Sequence, residues 1–254
     1  MSTPLLIQLR DLWISTAQRD LVKGVNVDIY PEQVTALCGP SGSGKSLTAR
    51  AMMSVLDVQP GLQGGSLIYP AIDPNKNWYE GVAGKGMRAQ EKLLKATQHL
   101  RGKYFTYSPQ SASSALNPGR TIGWQMQMAI ARRDKQPPSV YNEIVRILKQ
   151  VGLAEHVMRS LPGELSGGMA QRAALAIAIA PAPALVIADE PETGLDPVLR
   201  RGVIELLIEV VRKNGAGLVL ISHHEDTVEK IADAVVRLSP PPSSVQGISP
   251  SEGL

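Results

Sequence analysis

A single cysteine, Cys38, stands in 254 residues, so the chain can form no disulfide of its own and no cysteine metal cluster. Lying between an apolar run and a glycine-rich loop, it reads as a small buried strand residue, and the near-absence of thiols suits a reducing compartment. Long apolar runs are missing too. The longest uncharged one, Ala173 to Ala188, is interrupted by Pro181 and Pro183, which divide it into a helix end and a following strand rather than a membrane span. The start, MSTPLLIQLRDLW, lacks the basic region, apolar stretch and cleavage site of a secretory leader. A soluble protein is expected, with any membrane association supplied by a partner. Charge of one sign is also scarce. The 26 Lys and Arg against 23 Asp and Glu leave +3, and no Lys/Arg block marks a patch, so no nucleic-acid partner is expected. What is present is a globular composition, 43% hydrophobic and 19% charged, of a length that one α/β domain with an inserted subdomain can hold.

The order of elements follows from periodicity. Residues 5–14 and 25–29 alternate apolar and polar as half-buried strands do, and 34–38 is a short apolar strand. Residues 46–56 carry Leu47, Met52, Val55 and Leu56 at helical spacing. Residues 59–65 read as turn-rich, and 69–86, rich in Gly, Pro and Asn, as an irregular surface segment. A strand is predicted over 103–107, with Tyr104, Phe105 and Tyr107 as core. Ser139 is placed as the N-cap of a helix bearing Ile144, Ile147, Leu148 and Val151 on one face. Further expectations are a helix after Gly167, a buried strand over 184–188, a helix carrying Ile204, Leu207, Ile208 and Val211, and a strand over 218–221. From Ser239 the proline- and serine-rich sequence reads as a tail.

Chemistry enters at Gly39-Pro40-Ser41-Gly42-Ser43-Gly44-Lys45-Ser46, which matches the phosphate-binding loop pattern in full. Glycine allows backbone conformations that aim successive N–H groups at phosphate oxygens, and the helix that follows adds its positive end. Lys45 is suited to the β- and γ-phosphates, the Ser46 hydroxyl to Mg²⁺, and Leu47 closes the nucleotide-contacting stretch. This loop alone leaves small-molecule kinases and GTPases open. A second signal is the apolar strand ending in Asp189-Glu190. Asp189 is placed to reach the Mg²⁺ water shell and Glu190 to polarise an attacking water.

Residues 165–172, Leu-Ser-Gly-Gly-Met-Ala-Gln-Arg, resemble the LSGGQ signature of the ATP-binding cassette family, with Met169 where glutamine is usual. Physically, Ser166, Gly167 and Gly168 open a helix with unencumbered N–H groups. The resemblance implies that they meet the γ-phosphate of ATP held by another subunit. It extends to Gln110 as the Q-loop glutamine, touching Mg²⁺ or the attacking water, to Gly194-Leu195-Asp196 as the D-loop, and to His223 as the switch histidine. His224 stands where aspartate is usual and is taken as solvent-exposed. Two further positions depart from the pattern: Thr16 aligns with an adenine-stacking aromatic, with Trp13 nearby read as strand packing, and Glu192 replaces a threonine or serine near the subunit interface.

The resemblance implies the α/β, RecA-like phosphate-loop fold of a cassette nucleotide-binding domain over 1–238. An antiparallel β part and a helical subdomain inserted at roughly 111–172 belong to it, and a tail follows at 239–254. It implies ATP hydrolysis with Mg²⁺. Residues 108–118 and Thr121-Ile122-Gly123 are similar to peptide and nickel importer ATPases, whose C-terminal His-Pro-Tyr-Thr-like element has no counterpart here. A peripheral subunit on the cytoplasmic face of a bacterial-type inner membrane is thus expected. Its partners would be a second cassette subunit (a paralogue or itself), two integral permeases and, indirectly, an extracytoplasmic binding protein. The cargo would be peptides, nickel or a metal chelate, with Ala112, Ala115 and Leu116 facing a permease helix. A soluble cassette ATPase in a non-transport complex is the alternative, and a phosphate-loop kinase leaves the signature unexplained.

Overall fold

Two sheets organise the chain in the computed structural model, which describes residues 5–110, 115–193, 197–222, 228 and 230–241. Strands β1 (Ile7–Thr16), β2 (Asp20–Ile29) and β4 (Pro60–Ile68) form an antiparallel sheet in the order β2-β1-β4. Strands β3 (Val34–Cys38), β5 (Phe105–Ser108), β6 (Leu185–Asp189), β7 (Gly217–Ile221) and β8 (Ala234–Arg237) form a parallel sheet in the order β5-β6-β7-β3-β8. This is the α/β architecture with an antiparallel part that the motifs imply.

The parallel strands β3, β6 and β7 are buried along their whole length, because a parallel sheet in such a fold is covered on both faces. Successive side chains serve opposite faces. Val34, Ala36, Val186, Ala188, Leu218 and Leu220 pack with α3 (Ile122–Ile130), α4 (Val140–Gln150), α5 (Gly167–Ile179) and α6 (Pro197–Lys213). Leu37, Leu185, Ile187, Val219 and Ile221 pack with α1 (Lys45–Met52) and the antiparallel sheet. Ser139 caps α4 by accepting the Asn142 N–H at 3.2 Å, and Ile144, Ile147, Leu148 and Val151 are buried as the helical spacing requires.

The structure revises four readings. Residues 60–68 are a strand paired to β1, although residues 59–65 have a turn-like composition. Gly65 is there for close approach, since a Cβ on it would lie 2.8 Å from the Arg10 carbonyl oxygen. Residues 69–86 are irregular but not superficial. Tyr69 and Tyr79 are fully buried and donate to the Met52 and Ala51 carbonyls at 2.7 and 2.8 Å, satisfying the C-terminal end of α1. After them comes α2 (Met87–Ala96), where no helix is expected from the sequence. Trp13 does not pack inward either. A register shift around Asp11 (φ 48°) changes the phase of β1, so Trp13 is 37% exposed, donates to Asp20 at 2.7 Å and lies under the Lys23 ammonium. Finally, Lys103 and Tyr104 turn back on the Leu100 carbonyl, so β5 begins only at Phe105.

Candidate functional site

The candidate residues lie where four adjacent parallel strands end. Strand β3 runs into the glycine loop, β5 into Pro109-Gln110, β6 into Glu190 and β7 into Ser222. In an open α/β sheet the carboxyl edge is where strands diverge into loops and a ligand can approach. The loop geometry is imposed by crowding. Gly39 (φ 138°) and Gly44 (φ 90°) each leave no room for a Cβ, which would collide with the Leu238 carbonyl and with Val22. Gly44 also stands as N-cap of α1 without a side-chain cap, which leaves the N–H groups of the first turn for an anion. The buried Lys45 ammonium donates to the Gly39 and Pro40 carbonyls at 2.7 and 3.0 Å, so its charge is anchored inside the loop.

Asp189 and Glu190 receive different neighbours. Asp189 Oδ1 accepts from the Ser46 hydroxyl at 3.1 Å, and Oδ2 accepts from the Tyr107 hydroxyl at 2.7 Å. Burial, and then the hydrogen bond to Asp189, holds the Tyr107 phenol far above the ordinary tyrosine range, so it stays a donor. Glu190 adopts φ 47°, an unfavourable region for a non-glycine residue, of the kind that clusters at functional sites. Its Oε2 accepts from Gln110 Nε2 at 3.0 Å and from Thr193 Oγ1 at 3.3 Å. Oxygen donors of hydroxyl and carboxylate type, adjacent at Ser46 and Asp189, fit Mg²⁺, which takes one or two protein oxygens when phosphates and water supply the rest.

Ser166 caps α5, accepting the Met169 N–H at 3.3 Å, and among the described residues nothing lies within 4 Å of the position a Cβ would take on Gly167 or Gly168. The helix they open is tied to the acidic segment by Gln171, which donates to the Pro191 carbonyl. Asp196 with its neighbours Gly194 and Leu195, as well as His223, His224 and Ala112, lies outside the described residues. Glu192, expected near an interface, points inward: it is 3% exposed, Oε1 accepts from Ser222, and Oε2 has no hydrogen-bond partner among the described residues. Leu116, expected to face a permease helix, is 7% exposed and belongs to the core. An apolar cleft lies elsewhere, beside strand β5. It measures about 270 Å³ and is lined by Arg50, Met53, Val55, Arg101, Gly102, Phe105 and Tyr107. Tyr107, expected as core, is only partly buried and belongs to the site, and Thr193 was not expected there. The signal for Tyr107 was a polar-tipped aromatic near the end of a short strand; for Thr193 nothing distinguished it from turn chemistry.

The fold and site together define an α/β phosphate-loop nucleotide-binding domain. The sequence pattern of the ABC transporter family matches residues 22–193, and the chain belongs to that family. It is 34% identical over 218 residues to the oligopeptide transport ATP-binding protein OppD of Lactococcus lactis subsp. cremoris, covering 83% of this chain and 59% of that protein. It is 32% identical over 218 residues to the dipeptide transport ATP-binding protein DppD of Escherichia coli, covering 85% and 62%. The chain thus spans about three fifths of the length of the curated relatives it matches. The fold is shared with cbiO1 of Clostridium perfringens, part of the ABC transporter complex cbiONQ, at TM-score 0.70 and 22% identity over 93% of this chain and 85% of that one. It is shared too with the dimeric cassette MJ0796 bound to ADP and Pi, at TM-score 0.67 and 21% identity over 92% of this chain and 94% of that one.

Proposed function

We propose that this chain binds and hydrolyses ATP as the energy-coupling subunit of an importer, with peptides as the cargo class. The observation that carries the reading is the convergence of Lys45, Ser46, Asp189, Glu190 and Gln110 at one carboxyl edge. Peptide cargo is supported by the names of the relatives, which are oligopeptide and dipeptide transport proteins; nickel or a metal chelate has no such support.

The residues 39–47 cradle the phosphates with backbone N–H groups, and Lys45 turns from the loop carbonyls to the β- and γ-phosphate oxygens. Ser46, Asp189 and Gln110 would hold Mg²⁺, which when bound would neutralise charge on the phosphates. Glu190, oriented by Gln110 and Thr193, accepts a proton from the attacking water, and His223 steadies the γ-phosphate. Ser166, Gly167, Gly168 and Asp196 serve the nucleotide held by a second cassette chain, whether a copy or a paralogue. The domain spans 1–238 with its helical subdomain at roughly 111–172, and 239–254 is a tail.

Two permeases at the cytoplasmic face of the membrane, served by an extracytoplasmic binding protein, complete the assembly. The permease helix seats in the cleft at Val55 rather than at Leu116, whose replacement would disrupt the core. The test is purification of the tagged chain from detergent-solubilised membranes, alongside Val55→Asp. Two integral membrane proteins are expected with the parent and lost with the variant, ATP binding being equal in both. A chain recovered free of membrane proteins, yet hydrolysing ATP, would instead be a cassette ATPase of a non-transport complex.

A further inference from the structure

The magnesium carboxylate and the apolar cleft share one side chain, Tyr107. It precedes the last residue of β5 and pairs with Ile187 of β6, two residues before Asp189. At that register its hydroxyl reaches Asp189 Oδ2 at 2.7 Å, while the phenol forms part of the cleft wall with Met53, Val55 and Phe105. The Asp189 carboxylate is therefore held from two sides, by Ser46 at the start of α1 on Oδ1 and by Tyr107 on Oδ2. The second bond matters because the terminal torsion of an aspartate is soft and broadly two-fold. With Ser46 alone, the carboxylate plane would be free to swing about Oδ1.

We propose that Tyr107 is a positioning residue that makes the orientation of Asp189 depend on what occupies the cleft. The proposal rests on the reading of Asp189 as a magnesium-holding carboxylate. A side chain entering the cleft beside Val55 presses on the phenol ring, and the hydroxyl at its far end carries that displacement to Oδ2. Partners of this kind, which touch a ligand residue and not the metal, typically change metal affinity or activity by about 10- to 100-fold when removed. The cleft and the hydrolytic centre are then joined through one ring, with no loop rearrangement between them.

The test uses Mn²⁺ as a spectroscopic probe in place of Mg²⁺, titrated by electron paramagnetic resonance into the full chain saturated with a non-hydrolysable ATP analogue. Tyr107→Phe keeps the cleft wall and deletes the hydroxyl. It is expected to weaken Mn²⁺ binding about 10-fold or more, with metal-free nucleotide affinity and melting temperature unchanged, and with turnover recovering at high metal concentration. Val55→Trp, which fills the cleft, is expected to shift Mn²⁺ affinity in the parent and to have no effect in the Tyr107→Phe background. Parental Mn²⁺ affinity in Tyr107→Phe, or additive effects of the two substitutions, would overturn the proposal. Asp189→Asn is measured in parallel. If it too leaves Mn²⁺ affinity unchanged, the magnesium reading itself falls and the proposal with it, an outcome distinct from a failure of Tyr107 alone.

Discussion

The phosphate loop and the signature turn are both glycine-rich helix starts, and the chain treats them in opposite ways. At the phosphate loop, Gly39 and Gly44 are crowded by Leu238 and Val22, and Lys45 is anchored by two loop carbonyls. At the signature turn, Gly167 and Gly168 face open space among the described residues, and the local geometry is fixed by the Ser166 cap and by Arg172, which donates to the Gly168 carbonyl at 3.3 Å. The first set of glycines is demanded by the chain's own packing. The second is demanded by nothing among the described residues, as fits a surface kept bare for an external phosphate.

That contrast can be broken at several points, and the largest effect belongs to Glu190. Glu190→Gln preserves the shape that Gln110 and Thr193 grip and removes the proposed base, so turnover should fall by about 10²–10⁴-fold while ATP affinity holds. Undiminished steady-state hydrolysis would remove Glu190 from that role. Next is Lys45→Ala, which deletes the proposed counter-charge to two phosphates and strands two loop carbonyls. A net loss equal to one charge-assisted contact, about 1.5–3 kcal/mol, should weaken equilibrium binding of ATP about ten- to a hundredfold. Smaller again is Gly44→Ala, where a positive φ and a collision with Val22 coincide. A loss of about 1–3 kcal/mol in denaturant unfolding is expected, and an unchanged midpoint would show that the loop can relax around a side chain.

The phosphate loop, the acidic strand and the capped helix after Ser139 were legible in sequence because each is local, with its spacing and cap lying within a few residues. Strand β4 was not legible. Its glycines read as turns, and the approach of the Arg10 and Asp11 carbonyls, more than 50 positions away in the chain, explains Gly65. Nor were Tyr69 and Tyr79, whose hydroxyls find α1 carbonyls through tertiary packing, or Leu116, which lies among surface-like residues yet sits in the core. Within the site, motif residues could be named from their order, but the Tyr107–Asp189 bond depends on the strand order β5-β6, which no motif states. Glu192 marks the same limit. Its substitution was visible, whereas its burial against Ser222 was a matter of register at the ends of β6 and β7.

The claim that the signature turn serves a nucleotide outside its own chain is tested most directly by Gly167→Arg, a position with open space around it and no positive φ to strain. ATP affinity and melting temperature are measured on the isolated chain, and hydrolysis on the assembled complex. The account predicts that the first two match the parent and that hydrolysis is lost, because the guanidinium fills the place of a facing phosphate. Parental hydrolysis in the complex, or loss of ATP binding by the isolated chain, would contradict it.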